Sequence, residues 1–166
     1  VNFFSKLKFP QKEIINKSDF IFLISLMIID ETDNADYFLF KFNISKKDQK
    51  RIKIIDRFYK DKNSFKKFTE KNINKIFYYD GKQAVLDILN FKIIKSKKID
   101  EKLLELRRFY SNRSIPDMPI GAELLIKKYN IPEGRQLGIK LKKIEEAWVE
   151  NNFQITDKHL QNIINN

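Results

Sequence analysis

Four acidic side chains in close succession, Asp30, Glu31, Asp33 and Asp36, form the densest group of carboxylates in the sequence, and such a group could hold two metal ions for phosphoryl chemistry. They fall between two helical patterns with no glycine-rich phosphate turn nearby, so a solvated inter-helix turn is expected instead. His159, the single histidine, lies near the C-terminus without a serine, cysteine or metal-ligand partner at useful spacing, and a surface position is expected for it. The chain has no cysteine, which excludes a thiolate nucleophile, thiolate zinc sites and disulfides together. No catalytic residue and no metal ligand is therefore expected in this chain.

The basic residues are a different matter. The 33 lysines and arginines outnumber the 22 acidic residues to leave +11. Most are lysine, in a chain also rich in Ile, Asn and Phe, a bias that an AT-rich genome could produce by drift. Their distribution is what points to a ligand. Residues 46–75 hold twelve basic residues (Lys46, Lys47, Lys50, Arg51, Lys53, Arg57, Lys60, Lys62, Lys66, Lys67, Lys71 and Lys75) against Asp48, Asp56, Asp61 and Glu70, which places +8 of the +11 in one window. Such a concentration is the electrostatic footprint of a partner with a phosphate backbone. Arg107, Arg108 and Arg113 are three of only six arginines and lie within seven residues. In a lysine-rich chain they are expected either to make bidentate phosphate contacts or to pair internally with Glu101 or Glu105.

Helices must position these groups. Gly and Pro are rare, and six of the eight (Pro116, Pro119, Gly121, Pro132, Gly134 and Gly138) fall in one stretch. Long runs of 3.6-residue spacing and no sustained alternation indicate an all-α chain. A buried helix is expected from about Asp19 to Ile29, with Ser18 as its N-cap; its ten-residue apolar run, Phe20 to Ile29, is too short for the roughly 20 residues that span a bilayer. A short helix over Ala35 to Lys41 follows. Ser45 with Asp48 three residues later reads as a capping box opening a helix to about Lys60, which buries Ile52, Ile55 and Tyr59. Further helices are expected around Glu70 to Tyr79, over about Lys82 to Ile94 after a left-handed Gly81, and over about Asp100 to Tyr110. The proline-bearing stretch 112–119 divides a helical body, residues 1–114, from a smaller C-terminal lobe, residues 115–166.

That lobe reads as helix (Gly121 to Tyr129), tight turn (Asn130 to Gly134), helix (Arg135 to about Glu150) and a last helix over Asp157 to Ile164. Leu137, Leu141, Ile144 and Trp148 fall on one stripe that should pack on the core of the last three helices. Gly138 is expected to let two backbones approach. Free N–H groups at Gly134, Arg135 and Gln136 would make the start of the long helix an anion site.

The string Pro119, Ile120, Gly121, Glu123, Leu124, Leu125, Ile131, Pro132, Gly134, Leu137, Gly138, Leu141 and Trp148 resembles the C-terminal tail of bacterial class II tRNA nucleotidyltransferases of the poly(A) polymerase family. The chain differs in Glu123, where the family usually has Asp, and in Tyr129, where it often has Gly. Residues 74–89, and Leu39 to Arg51, are similar to the family's helical body. The family's head, with a Gly-Gly turn and paired aspartates on a strand, has no counterpart here.

The resemblance implies the body and tail of an enzyme that adds CCA, or adenylates, to RNA, with magnesium and ATP or CTP held by a separate head. The partners it implies are the acceptor stem and elbow backbone of tRNA and the enzyme's own head and neck. Such a chain would be cytoplasmic, and the start at Val1 is what a piece of a longer protein would show. Expected RNA contacts are Lys46, Lys47, Lys50, Arg51, Lys53, Arg57, Arg107, Arg108, Arg113, Gly134, Arg135 and Gln136. Two other readings stay open: a helix-hairpin-helix module gripping DNA or RNA backbone through the same turn, and a helical interaction scaffold with a drifted surface.

Overall fold

The computed structural model describes residues 6–61 and 68–165, and among them the chain is helical throughout, with ten α-helices and no strand. They are α1 (Phe9–Asn16), α2 (Phe20–Ile28), α3 (Asn34–Lys41), α4 (Lys46–Lys60), α5 (Glu70–Tyr79), α6 (Lys82–Lys95), α7 (Glu101–Asn112), α8 (Ala122–Tyr129), α9 (Arg135–Glu150) and α10 (Asp157–Asn165). None of them is long and apolar enough to cross a membrane. The chain divides into two compact units, one formed by residues 1–67 and 80–114 and the other by residues 68–79 and 115–166.

In the first unit α6 is the central element. Ala84, Val85, Ile88, Leu89, Phe91, Ile93 and Ile94 are buried around its whole circumference, as expected of a helix surrounded by others, and α1, α4 and α7 all pack on it. Helix α4 contributes Ile52, Ile54 and Ile55, and the Tyr59 hydroxyl donates to the Ile88 carbonyl at 2.8 Å; burial pushes that phenol's pKa well above its ordinary value. Gly81, at φ 93° and ψ 168°, is the N-cap of α6 in a conformation that side chains with a Cβ avoid.

One local expectation needs correction. The N-cap of α2 is Asp19 rather than Ser18: the Asp19 carboxylate accepts from the Phe22 N–H at 3.0 Å, while the Ser18 hydroxyl donates back to the Ile14 carbonyl. The Ser18 hydroxyl thus closes α1, a helix for which the sequence offers little periodicity. Helix α1 is held through Gln11, a buried polar residue whose amide nitrogen reaches the carbonyls of Ile93 at 2.9 Å, Ile94 at 3.3 Å and Ser96 at 3.0 Å. These belong to the open C-terminal end of α6, where carbonyls lack helical partners.

In the second unit α9 is the hub, with α5, α8 and α10 packed on it. Ile120, Leu125, Ile131, Leu137, Ile144 and Leu160 form one apolar cluster. Trp148 is buried, as its place on the stripe requires, but its ring neighbours are Tyr78 of α5 at 5.4 Å and Phe153 at 5.0 Å, both edge-on, rather than the residues of that cluster. Helix α5 therefore belongs with α9, although it precedes the proline-bearing stretch in sequence.

Candidate nucleic-acid interface

Helix α4 starts where its sequence directs. The Ser45 hydroxyl accepts from the Asp48 N–H at 3.1 Å and donates to the Asp48 carboxylate at 2.6 Å, so both polar groups of the first turn are satisfied. With Ile52, Ile54 and Ile55 facing the core, Lys46, Lys47, Lys50, Lys53 and Arg57 are exposed. Lys46, Gln49, Lys50, Lys53 and Arg57 line a groove of about 490 Å³ over Ile54, with Asp36, Asp56 and Asp80 at its margin. Asp80 is the counter-charge, 3.4 Å from Lys50 and 3.9 Å from Arg57. Lys46, Lys47 and Lys53 form no ion pair with a described residue.

Arg51 has a different task. Its side chain is 15 % exposed, and its Nε and one terminal nitrogen donate to the two oxygens of Asp87, whose side chain is 2 % exposed, while the other terminal nitrogen reaches Asp19 at 2.5 Å. Gln83 adds a 2.9 Å bond to Asp87. The Arg51 guanidinium thus fastens the start of α2, α4 and α6 together, so Arg51 is withdrawn from the list of ligand contacts. Partial burial works against ionisation of Asp19, but the Arg51 guanidinium and the Phe22 N–H outweigh it and hold the carboxyl below its ordinary value. Arginine in place of lysine was the signal available in the sequence, because only a guanidinium can fork across one carboxylate and reach a second.

The remaining cations of the 46–75 window are shared out. Lys60 is held by Asp56 at 2.8 Å and Asp36 at 3.0 Å. Lys71 and Lys75 both sit on Glu150, at 2.7 and 2.5 Å, and these two bonds keep the Glu150 carboxyl below its ordinary value. Lys62, Lys66 and Lys67 lie outside the described residues. Among the described residues, the exposed α4 row is the presented part of the window's charge.

On α7, Arg107 donates from Nε to the Asn90 side-chain oxygen at 2.6 Å, Arg113 lies 5.0 Å from the centre of the Phe109 ring, and Arg108 is exposed. No ion pair joins the three to Glu101 or Glu105; Asn90, an uncharged partner, takes that place for Arg107.

In the second unit, Asn130 ends α8 in the left-handed conformation at φ 51° and ψ 33°, a role asparagine tolerates, so the neighbouring Tyr129 is spared it. Gly134 then opens α9 at φ 132° and ψ −162°, where only glycine is at ease, and no side chain caps the helix start. Arg135 and Gln136 are exposed beside it. The expectation for Gly138 is overturned: it is exposed, and a Cβ built there would meet nothing within 4 Å. No backbone approaches it in this structure.

The acidic turn is self-contained. Asp30 accepts from the Thr32 hydroxyl at 2.6 Å and from the Asn34 amide at 2.8 Å, and these bonds keep its carboxyl low against an opposing desolvation. Among the described residues no group of three or more His, Cys, Asp or Glu side chains is placed to hold a metal ion. His159 is exposed on α10. Comparisons with protein-family models, with curated proteins and with solved structures found no match for the chain.

Proposed function

We propose that this chain is the tRNA-holding body and tail of a nucleotidyltransferase of the poly(A) polymerase family, with nucleotide chemistry supplied by a head that lies elsewhere. The observation that carries the reading is the row Lys46, Lys50, Lys53 and Arg57 along one groove, with Lys46 and Lys53 unspent on internal pairs. A row of lysines on one helix face suits a partner recognised by backbone and shape, as A-form RNA is, rather than by base edges. The tail supports the same reading from the other unit: a glycine-opened helix start bearing Arg135, in the string 119–148 that resembles the family.

The test is a titration of tRNA against the chain at several salt concentrations, repeated with Lys46, Lys50, Lys53 and Arg57 all changed to Gln. Each phosphate contact removed lowers the slope of log affinity against log salt by somewhat under about one unit, for every tRNA alike. An unchanged slope would assign the row to a drifted surface. Competition between tRNA and duplex DNA decides against the helix-hairpin-helix alternative if tRNA displaces DNA at equal salt. The purified chain with magnesium, ATP and CTP should incorporate no nucleotide into tRNA; incorporation would refute the division of labour.

A further inference from the structure

Helix α2 carries two apolar faces, one buried and the other largely exposed. Phe22, Ser25, Leu26 and Ile29 are buried, at i, i+3, i+4 and i+7. Phe20, Leu23, Ile24 and Met27 repeat that spacing one face over, with Phe20 71 % and Met27 79 % exposed and the two between them half-buried. Helix α3, packed against α2, adds Tyr37 at 63 % and Phe40 at 87 % exposed. An exposed face of contiguous large apolar side chains is the mark of an interaction surface rather than of ordinary surface leucines.

Charge narrows the choice of occupant. Between Lys17 and Lys41 the sequence has no lysine and no arginine, in a chain that is +11 overall, yet it has Asp19, Asp30, Glu31, Asp33 and Asp36. Asp19 is occupied by Arg51 and Asp36 by Lys60. Asp30, Glu31 and Asp33 are exposed in the turn that follows α2, and none of them is ion-paired to a described residue. They stand at the negative end of the α2 dipole, so both contributions have the same sign. Phosphate, whether of a nucleic acid or an anionic membrane, is repelled by such a rim. A symmetric second copy would set carboxylates against carboxylates.

We infer that the outer face of α2 docks an amphipathic helix of a protein partner whose apolar stripe fills the Phe20–Met27 row and whose basic flank meets Asp30, Glu31 and Asp33. The row spans eight residues, about 10 Å, so two turns of a partner helix cover it. This surface is independent of the α4 row and of the RNA reading.

The experiment uses a fluorescein-labelled synthetic peptide of Leu and Lys with the leucines at i, i+3, i+4 and i+7, followed by anisotropy against the full chain. The controls are a peptide of the same composition in scrambled order and a Leu/Glu peptide of the same pattern. Binding of the patterned Leu/Lys peptide alone is expected. It should weaken about tenfold or more in a Phe20→Ser, Met27→Ser variant. In an Asp30→Asn, Glu31→Gln, Asp33→Asn variant, which leaves the apolar face intact and guards against a folding artefact, it should weaken several-fold and lose its dependence on salt. Equal binding of the scrambled peptide, or wild-type affinity in either variant, would overturn the inference. So would self-association in sedimentation velocity that the Phe20/Met27 variant abolishes, which would make the occupant a second copy. Flotation with phosphatidylcholine vesicles lost in that variant would make it lipid.

Discussion

The two units hold short helices together with different balances of chemistry. The first aims polar side chains at the joints between its helices: Arg51 on Asp87, Gln11 on the end of α6, Tyr59 on Ile88. The second also has polar links between α5 and α9, Lys71 and Lys75 on Glu150 and Tyr78 on Glu145, but adds an aliphatic cluster, an edge-on aromatic group of Tyr78, Trp148 and Phe153, and a turn made by backbone conformation at Asn130 and Gly134. The difference teaches how to read charge in this chain. In the first unit a cation can be a structural fastener or a presented contact on the same helix, and α4 has both.

The largest effect should come from the aromatic group of the second unit. Trp148→Ala is expected to cost about 3–5 kcal/mol, the range for removing a buried aromatic, and calorimetry should show the loss as a lowered Tm. An unshifted Tm would mean that Trp148 is not what joins α5 to α9. Next, Arg51→Ala should cost about 3 kcal/mol in urea unfolding by leaving the buried Asp87 carboxylate without its ion partner, with no change in the salt slope of RNA binding. Lys53→Ala should do the reverse, lowering the slope while leaving the unfolding midpoint in place. If the two variants behaved alike, the distinction between fastener and contact would fail.

Smaller effects separate the two glycines of α9. Gly134→Ala forces a Cβ into the φ 132° conformation and should destabilise by about 1–3 kcal/mol. Gly138→Ala sits in open helix surface and should stabilise by about 0.5–1 kcal/mol. If Gly138→Ala also weakens tRNA binding, the space above that glycine is where a ligand backbone comes close; if binding is unaffected, the glycine has no contact role. The smallest difference is in pH. Asp19 in the first unit and Glu150 in the second both titrate below their ordinary values, so the stability each adds is present above the unfolded pKa, about 3.9 and 4.3 respectively, and is lost as pH falls through the lower folded value. Asp19→Asn should therefore flatten the acid limb of stability below about pH 4. An acid limb identical to the wild type's would remove Asp19 from the fastening network.

How much of this is legible in the sequence follows from the same contrast. Local signals were enough for α4, whose Ser45 cap and buried isoleucines sit where spacing puts them, and for α9, whose stripe runs from Leu137 to Trp148. Side-chain spacing does not name a partner, however. Nothing near Trp148 in sequence points to Tyr78, and nothing near Arg51 points to Asp87, 36 residues away. Helix α1 gives little signal in the sequence because it buries the polar Gln11 and carries Pro10 in its first turn, so its apolar spacing is poor. Gly138 misled for the opposite reason: a glycine within a helix suggests close packing, and only the structure shows open space beside it. For the presented cations of α4 the sequence supplies the row, and the structure withdraws Arg51 from it by pairing it with Asp87 and Asp19.

The Gln11 clasp also has a consequence for the order in which the chain folds. Its bonds to the end of α6 close a loop of 82 residues or more, at an entropic cost of roughly 4 kcal/mol before any contact is made. Helices α6 and α7 are neighbours in sequence and can pair early, whereas the packing of α1 on α6 is long-range and must wait until α6 is complete. Gln11 is therefore expected to act as a latch that shuts late in folding. Its removal should leave the folding limb of a chevron plot where it is and raise the unfolding limb, so the lifetime of the native first unit, more than its speed of formation, depends on this one amide.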